Sequence, residues 1–188
     1  MRLRLTIDYC TRCGNRTRME IPTGDNLPRA VCSACNHIHY ENPRIIVGCI
    51  PEWENKILLC KRAIEPRLGF WTLPAGFMEN NETTQEGALR ETFEESLAKA
   101  TIIEPFSLID IPHINQVYLL YRAKLNDESY GTTAESSEVT LMNEESIPWD
   151  QIAFKAIRRS LELYFEDARR NTFDFHVETI KVSTHHRN

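Results

Sequence analysis

The sequence predicts an α/β protein in two parts, a small N-terminal module organised by cysteines and a larger domain of strands and helices. Three observations lead to this prediction. Two Cys-x2-Cys pairs lie near the start of the chain, apolar runs of strand length are interspersed with segments of helical periodicity, and 41% of the 188 residues are hydrophobic. That apolar fraction is enough to build a packed core and offset the entropy lost by the ordered chain.

The charge balance and the hydropathy of the chain exclude several classes of function. Twenty-two basic residues stand against 27 acidic residues, so the net charge is −5, and affinity for nucleic acid through Lys and Arg contacts to phosphates is not expected. No apolar run approaches the roughly 20 residues that span a bilayer, and charged residues interrupt the N-terminus where a signal peptide would have its apolar core. We therefore expect a soluble, cytoplasmic protein that binds neither a membrane nor nucleic acid.

The N-terminal module is defined by the pairs Cys10-x2-Cys13 and Cys32-x2-Cys35. A gap of two residues lets two thiolates approach one ion from a tight turn, and a hairpin with its tip at residues 23–26 would return the second pair to the first. Four thiolates complete a tetrahedral shell without an open position, which makes the site structural. Two disulfides or a redox-active pair are the alternatives. The module resembles a zinc ribbon, with all four cysteines as ligands of Zn²⁺.

The larger domain begins after Pro43, which favours extended backbone at the residue before it and precedes a β-rich segment. We assign residues 1–43 to the zinc ribbon, 44–170 to the larger domain and 171–188 to a C-terminal edge strand or tail. A hairpin at 45–50 and 57–60 opens the domain. Further strands are predicted at 70–73, 102–111, 116–125 and 138–142, and helices at 83–97 and 149–169.

Two sequence patterns predict how these elements pack. Thr83 and Glu86 have the spacing of a capping box at the start of the first helix. Cys49 and Cys60 lie inside the apolar runs of the hairpin and are expected to be buried thiols without chemistry. The inward face of the first helix is predicted at four positions, Leu89, Thr92, Phe93 and Leu97.

The most informative stretch of the sequence is Gly76-x5-Glu82-x7-Arg90-Glu91-x2-Glu94-Glu95. On a helix, Glu91 lies three positions before Glu94 and four before Glu95, so three carboxylates crowd together. Divalent cations relieve such repulsion, and Mg²⁺ prefers a few carboxylates together with water and phosphate oxygens. The cluster therefore predicts a metal-assisted reaction at a phosphoryl group.

Over residues 76–98 this stretch resembles the Nudix box, Gly-x5-Glu-x7-Arg-Glu-aliphatic-x-Glu-Glu-x-Gly-aliphatic. The first glycine, the arginine and all four glutamates match the pattern. Thr92 stands at an aliphatic position, and Leu97 replaces the second glycine. The resemblance implies a Nudix-type α/β/α sandwich with a mixed sheet, preceded by the zinc ribbon, and hydrolysis of a nucleoside diphosphate linked to another group.

By position in the box, the resemblance implies roles for these residues. Glu91, Glu94 and Glu95 correspond to catalytic ligands of Mg²⁺ or Mn²⁺, and the carbonyl of Gly76 corresponds to a fourth ligand.

Other acidic and basic residues have supporting roles in the family. Glu82 and Arg90 correspond to a structural pair that ties the loop to the helix. The family also tends to use an acidic residue from a later loop as a base or an additional ligand. Glu135 and Glu138 lie where that residue is expected, and Glu138 is favoured because it opens a strand.

The substrate is predicted from features outside the box. Nudix NADH pyrophosphatases combine a zinc ribbon with a Ser-Gln-Pro-Trp-Pro-Phe-Pro array that this chain lacks, so NADH is not expected as the main substrate. Pro112 and the segments 42–47 and 70–76 resemble Nudix enzymes that act on ADP-ribose and FAD. We therefore predict cleavage of ADP-ribose or FAD to AMP and the other phosphorylated half. Arg44 and Arg62 are alternative candidates for binding a phosphate of the substrate, and the sequence favours neither.

Two other functions are also compatible with the sequence. The first is a nucleoside triphosphate sanitiser, which would release pyrophosphate. The second is a non-catalytic zinc-ribbon module that binds RNA or a protein regulator. The family resemblance also implies a homodimer.

Overall fold

The computed structural model describes residues 7–181. The charged start of the chain and residues 182–188 of the predicted tail lie outside this range. The chain divides into two compact units, Met1–Pro43 and Arg44–Asn188. Among the residues described, no helix combines the length and the hydropathy needed to cross a membrane.

The first unit contains a three-stranded antiparallel sheet. Its strands are β1 (Thr17–Glu20), β2 (Arg29–Cys32) and β3 (Ile38–His39), with β2 in the centre. β1 and β2 form the hairpin that returns the second cysteine pair to the first. Gly24 in the connecting loop has a φ of 86°, a left-handed conformation that glycine adopts without steric cost.

The second unit is built on a mixed sheet. Its strands are β4 (Arg44–Trp53), β5 (Lys56–Arg62), β6 (Trp71–Thr72), β7 (Ala75–Phe77), β8 (Ala100–Ile111), β9 (Gln116–Leu125), β10 (Ser136–Met142) and β11 (His176–Thr179). The main order is β10-β5-β4-β9-β8-β11, while β6 pairs with β5 and β7 pairs with β4. β4 runs parallel to β9, and β8 runs parallel to β11, whereas the remaining pairs are antiparallel.

β4 supports the loop that leads into the first helix. It pairs with β5 only at its C-terminal end, and its first half pairs instead with β7, where Val47 lies opposite Gly76. Gly48 permits this contact because a Cβ at that position would overlap Pro74 and Ala75. β7 is therefore fixed to the centre of the sheet shortly before the helix begins.

Two helices cover opposite faces of this sheet, α1 (Thr84–Ser96) and α2 (Lys155–Arg170). Neighbouring side chains of β4 point to opposite faces: Val47 packs in a cluster with Ala88 of α1, whereas Ile46 belongs to the larger core that contains Ile157 of α2. The arrangement is the predicted α/β/α sandwich with a mixed sheet.

α1 begins where the sequence predicts, but it buries a different face. Thr83 accepts a hydrogen bond from the amide of Glu86 at 3.2 Å, and the carboxylate of Glu86 accepts from the amide of Thr83 at 2.8 Å. The prediction that Phe93 and Leu97 face inward is wrong, since they are 46% and 47% exposed, and Leu89 is only partly buried. Thr92 is buried as predicted, and the rest of the buried face consists of Gly87, Ala88, Glu95 and Ser96. Small side chains let the helix lie close to the sheet, and a carboxylate takes one inward position.

α2 begins later than the sequence predicts. Residues 149–151 form a single 3₁₀ turn. The amide of Ala153 then donates to the carbonyl of Trp71 at 2.8 Å, and Ile152 forms a parallel bridge with the same residue. This pairing with β6 keeps the backbone extended until Phe154, the N-cap residue. The helix start is therefore set by a tertiary contact.

The end of the described chain is attached to the outer strand of the sheet. β11 pairs with β8, and the Asp167 carboxylate of α2, which is wholly buried, anchors the segment that leads to it. His176 Nε2 lies 2.8 Å from this carboxylate, the amide of Asp174 donates to it at 3.0 Å, and Arg170 pairs with it. Burial alone raises the pKa of Asp167, but these hydrogen bonds outweigh burial and hold it below its ordinary value.

Candidate active site and zinc site

The four cysteine sulfurs of the first unit converge on one point. One Sγ from each of Cys10, Cys13, Cys32 and Cys35 lies within 4.8 Å of the other three. The pair Cys10–Cys35 is separated by 3.8 Å, Cys13–Cys32 by 3.4 Å and Cys13–Cys35 by 3.5 Å. Zn–S bonds of about 2.3 Å in a tetrahedron place sulfurs roughly 3.8 Å apart. All four are free thiols rather than disulfides, so this donor set fits Zn²⁺.

Local hydrogen bonds favour the metal-binding form of two of these thiols. The side chain and backbone of Asn15 lower the pKa of Cys13 to about 6. The amide of Cys35 lowers the pKa of Cys32, burial opposes it, and the amide of Ala34 lowers it further. Because the thiolate is the ligand, these contacts prepare the site for a cation.

β7 and α1 bring the glycine and the glutamates of the box together. The amide of Ala75 donates to the Glu95 carboxylate at 3.1 Å. A Cβ on Gly76 would overlap the carboxylate of Glu91, so this contact requires glycine. The side chain of Glu91 is only 13% exposed and that of Glu94 is 56% exposed, while Glu95 is buried. The carboxylates therefore extend from the buried side of the helix to solvent.

Arg90 is the hydrogen-bonding centre of this cluster. Its Nε and Nη2 contact the two carboxylate oxygens of Glu82 at 3.0 and 2.8 Å, a bidentate pair that ties the loop before α1 to the helix. Its Nη1 contacts Glu91 at 2.8 Å and Glu94 at 2.9 Å, and Nη2 also donates to the carbonyl of Phe77 at 3.2 Å. One guanidinium thus pairs with three carboxylates, so a net negative charge remains in the cluster.

The carboxylates of the cluster have different electrostatic environments. The pKa of Glu95 is raised to about 8, mainly by burial; the amide of Ala75 opposes this rise, and the charges of Glu91 and Glu135 contribute to it. Burial also raises the pKa of Glu91, although Arg90 opposes this effect. Hydrogen bonds from Arg90 lower the pKa of Glu82 to about 2. A cation placed among the two buried carboxylates would stabilise their charged forms.

The two acidic residues of the later loop differ in their relation to the cluster. Glu138 lies in β10 opposite Lys61, and its exposed carboxylate pairs with the Lys61 ammonium at 3.3 Å. Glu135 precedes β10, and its charge raises the pKa of both Glu91 and Glu95. Glu135 is therefore the loop residue that is electrostatically coupled to the glutamates of α1.

The end of β5 lies next to α1, since the thiol of Cys60 is 3.7 Å from the carbonyl oxygen of Glu95. Arg62, which the sequence pattern does not separate from Arg44, lies two residues further along this strand. Arg62 is the last residue of β5 and is only 9% exposed. Burial dominates the pKa of Glu95, but the charge of Arg62 acts against burial and lowers it. The available sequence signal is a basic residue directly after an apolar strand, and only the fold shows that this strand ends beside α1.

The two departures from the box have local structural consequences. Thr92 is buried, and its hydroxyl donates to the carbonyl of Ala88 at 2.7 Å, so no polar atom is left without a partner. Leu97 caps the C-terminus of α1 in the left-handed region with a φ of 58°, and its amide donates to the carbonyl of Phe93 at 2.7 Å. That conformation costs a residue other than glycine about 1–2 kcal/mol.

Known protein families match both units of the chain. The family described as Nudix N-terminal matches residues 8–41, and the family described as NUDIX domain matches residues 42–163. The crystal structure of a NUDIX hydrolase from Nitrosomonas europaea is similar to this chain with a TM-score of 0.89 and 52% sequence identity. That similarity covers 93% of this chain and 99% of the other.

Curated relatives match shorter stretches. An ADP-ribose pyrophosphatase from Methanocaldococcus jannaschii is 46% identical over 57 residues, which are 30% of this chain and 34% of that protein. An NAD-capped RNA hydrolase, NudC, from Vibrio parahaemolyticus is 33% identical over 93 residues, which are 48% of this chain and 33% of that protein. The chain thus spans about a third of the length of these curated relatives.

Proposed function

The chain belongs to the Nudix family of hydrolases, and on this basis we propose that it is a metal-dependent pyrophosphohydrolase. The substrate is a nucleoside diphosphate linked to a second group, namely ADP-ribose or FAD, and the products are AMP and the other phosphorylated half. The observation that carries the proposal is the position of two carboxylates against β7: the Glu91 carboxylate lies against Gly76, and the Glu95 carboxylate accepts from the amide of Ala75. Relatives named ADP-ribose pyrophosphatase and NAD-capped RNA hydrolase support a substrate with a nucleotide diphosphate bridge.

The donor set of this cluster fits Mg²⁺ or Mn²⁺. Three carboxylates and a backbone carbonyl are hard oxygen ligands, and the raised pKa values of two of the carboxylates mark charge that a cation would compensate. When bound, the cations would polarise the phosphate and lower the pKa of the attacking water. The proposed ligands are Glu91, Glu94, Glu95 and the carbonyl of Gly76.

Protein groups around the cluster position these ligands. Glu95 is held by the amide of Ala75, and the Glu82–Arg90 pair holds the loop against α1. Glu94 is exposed and contacts only one nitrogen of Arg90 among the residues described. The Glu94 carboxylate can therefore turn from Arg90 toward a bound cation without disturbing buried packing.

The attacking water needs a proton acceptor, and we assign this role to a carboxylate of the later loop. Glu135 is the first candidate because its charge acts on both Glu91 and Glu95. Glu138 is the second candidate, although its carboxylate pairs with Lys61. Loss of turnover in Glu135→Gln but not in Glu138→Gln would support the first assignment, and the reverse pattern would support the second.

The N-terminal unit has a structural role in this proposal. Zn²⁺ bound by Cys10, Cys13, Cys32 and Cys35 would close its coordination shell with protein sulfurs. No position would be left for substrate. The ribbon therefore contributes folding energy rather than chemistry.

A product-resolved assay tests the reaction. The protein is incubated with Mg²⁺ or Mn²⁺ and ADP-ribose, FAD, NADH, NAD-capped RNA or nucleoside triphosphates, and the products are separated by chromatography. We expect AMP from ADP-ribose or FAD. Pyrophosphate released from triphosphates would instead identify a sanitiser, and salt-sensitive RNA binding without any turnover would identify a binding module.

Substitution of Glu94 tests the ligand assignment without disturbing the core. Glu94→Gln removes one charge from an exposed side chain, so we expect the fold to persist and turnover to fall by about 10²-fold or more. Glu166→Gln on α2 is the matched control, since Glu166 is 49% exposed and lies on the opposite face of the sheet. Full activity in Glu94→Gln would refute the assignment.

A further inference from the structure

A cavity of about 540 Å³ lies on the α2 side of the sheet, away from the glutamates of the box. Its walls come from the turn between β4 and β5, the segment after β10, and the C-terminal end of α2. Val47, which lies opposite Gly76, and Glu52, which lines the cavity, are five residues apart on β4. At about 3.3 Å per residue of a strand, this separation is roughly 16 Å. The cavity is therefore separate from the candidate active site, and its volume is typical of small-molecule sites.

The two arginines of the cavity lining already have acidic partners. The Arg122 guanidinium contacts the two carboxylate oxygens of Glu52 at 2.7 and 3.1 Å, and its Nη1 contacts Glu104 at 2.6 Å. Nη1 of Arg169 contacts the two carboxylate oxygens of Glu144 at 2.7 and 2.9 Å. An anionic ligand would have to break one of these contacts in order to gain a cation.

Two other carboxylates of the lining have no such partner. Glu54 in the turn after β4 and Glu145 after β10 are exposed and line the cavity, and neither forms an ion pair with any residue between 7 and 181. The C-terminal end of α2 lies in the same lining, at Ala168 and Asn171. This end carries the negative pole of the helix dipole, which favours a positive charge nearby. The electrostatics of the cavity therefore favour a cation.

Tyr164 offers the cavity a further polar group. Its side chain is only 7% exposed, and no residue among those described donates a hydrogen bond to its oxygen. Over residues 7–181 the one fully enclosed side-chain nitrogen or oxygen without a partner is Nε2 of His39, so the Tyr164 oxygen opens into the cavity. Burial raises the pKa of Tyr164, and the charge of Glu52 raises it further, although Arg122 opposes this effect. The neutral hydroxyl can therefore accept a hydrogen bond from an ammonium group.

The apolar part of the lining favours an organic cation over a metal ion. Phe165, Phe173 and Ala168 line the cavity, and methylene groups would gain from packing against them. A hydrated metal ion would not. Among residues 7–181, the four cysteines are the one group of three or more His, Cys, Asp or Glu ligand atoms close enough to share a metal ion. The lining thus fits an amine that carries an aliphatic chain.

We propose that this cavity binds a small aliphatic diamine. The two ammonium groups pair with Glu54 and Glu145, and one of them also donates to the Tyr164 oxygen. The methylene chain packs against Phe165 and Phe173. None of these residues belongs to the box, so the site is independent of the proposed hydrolysis and goes beyond it.

Calorimetric titration with cadaverine, 1,5-diaminopentane, tests the proposal. The variants are Glu54→Gln, Glu145→Gln and the double variant. Glu128→Gln is the matched control because Glu128 is exposed, forms no ion pair within residues 7–181 and lies outside the cavity. We expect each single variant to weaken binding about threefold or more, the double variant about tenfold or more, and Glu128→Gln less than about 1.5-fold. Circular dichroism confirms that the variants, which change only exposed side chains, stay folded.

Two further titrations separate the proposed contacts from general attraction of cations to an acidic protein. Tyr164→Phe keeps the ring and its packing but removes the accepting oxygen, so cadaverine should bind roughly two- to fivefold more weakly. Butylamine carries one ammonium group and should bind about tenfold more weakly than cadaverine. Tyr164→Phe with wild-type affinity would refute the hydroxyl contact.

Other outcomes would overturn the site as a whole. These are wild-type cadaverine affinity in the double variant, an equal loss in Glu128→Gln, or butylamine binding as tight as that of cadaverine. Glu94→Gln is titrated as well, because amines could also bind the carboxylates of the box. A loss of cadaverine binding in Glu94→Gln but not in the double variant would place the amine at the box and refute the proposal.

Discussion

Asp167 holds the C-terminal segment to α2, and its replacement by asparagine should destabilise the second unit. The carboxylate is wholly buried and accepts hydrogen bonds from three groups: the amide of Asp174, the imidazole of His176 and the guanidinium of Arg170. Asparagine keeps the shape of the side chain. It removes the charge and turns one acceptor into a donor that would face other donors.

The expected loss of stability is about 2–4 kcal/mol. Removing one partner of a buried charge network costs roughly 3–5 kcal/mol. The expected loss lies around or below the lower end of that range because Arg170 is 59% exposed and His176 is 18% exposed, so water solvates part of the charge that is left. For a unit of this size the change corresponds to a fall in Tm of roughly 4–16 °C.

Urea denaturation at pH 7 measures the difference, with Asp150→Asn as the control. Asp150 is fully exposed, so its substitution should cost less than about 0.5 kcal/mol. Because the pKa of Asp167 is depressed in the folded state, its contribution is present above the ordinary value of about 3.9 and is lost as the pH falls through the lower folded value. The gap between wild type and variant should therefore narrow below about pH 4. A loss under 1 kcal/mol at pH 7, or a gap that widens in acid, would refute the reasoning.

Two further predictions concern the C-terminus of α1 and the zinc site. Leu97→Gly should stabilise the protein by about 0.5–1 kcal/mol, because glycine relieves the strain of the left-handed conformation by more than its entropy cost. A Tm no higher than that of the wild type would contradict this expectation. Lys99→Gly is the control that measures the entropy cost alone. Cys13→Ser should reduce zinc content from one atom per chain to less than half, as measured by mass spectrometry of the dialysed protein, while Cys49→Ser, which changes a buried thiol outside the cluster, retains the zinc.

Local sequence signals predict much of the fold. The strand at residues 116–125 has the predicted bounds, and the capping box at Thr83 marks the start of α1. The thiols of Cys49 and Cys60 are buried in the hairpin strands as predicted. These features depend on alternation, spacing and turn chemistry over a few residues, and such signals are readable without knowing the rest of the fold.

The features that the sequence does not predict depend on distant residues. Hydrophobicity predicts that Phe93 faces inward on α1, whereas the structure buries Glu95 and exposes Phe93, because small side chains allow the close approach to β4 and β7. The start of α2 depends on pairing with Trp71.

The candidate active site also combines features that local sequence predicts with features that depend on distant residues. Spacing along one helix predicts that the glutamates of the box lie together. A bulge between Ser136 and Glu138 changes the register of β10. Residue spacing alone therefore does not predict that the charge of Glu135 acts on Glu91, whereas the Glu138 carboxylate pairs with Lys61. The position of Arg62 likewise depends on where β5 ends in the sheet.

The parallel pairing of β4 with β9 has a consequence for the order of folding. Arg44 pairs with Gln116 and Glu52 pairs with Lys124, so the strand that supports Gly76 gains this neighbour only after the intervening loop, helix and β8 have been made. Closing a loop of this length costs entropy before any contact repays it, which slows folding. During synthesis, a nascent chain that stops before β9 would contain every glutamate of the box, but β4 would lack the parallel partner that completes the centre of the sheet. We therefore expect the capacity to bind the catalytic metal to emerge late and cooperatively, with the closure of the sheet.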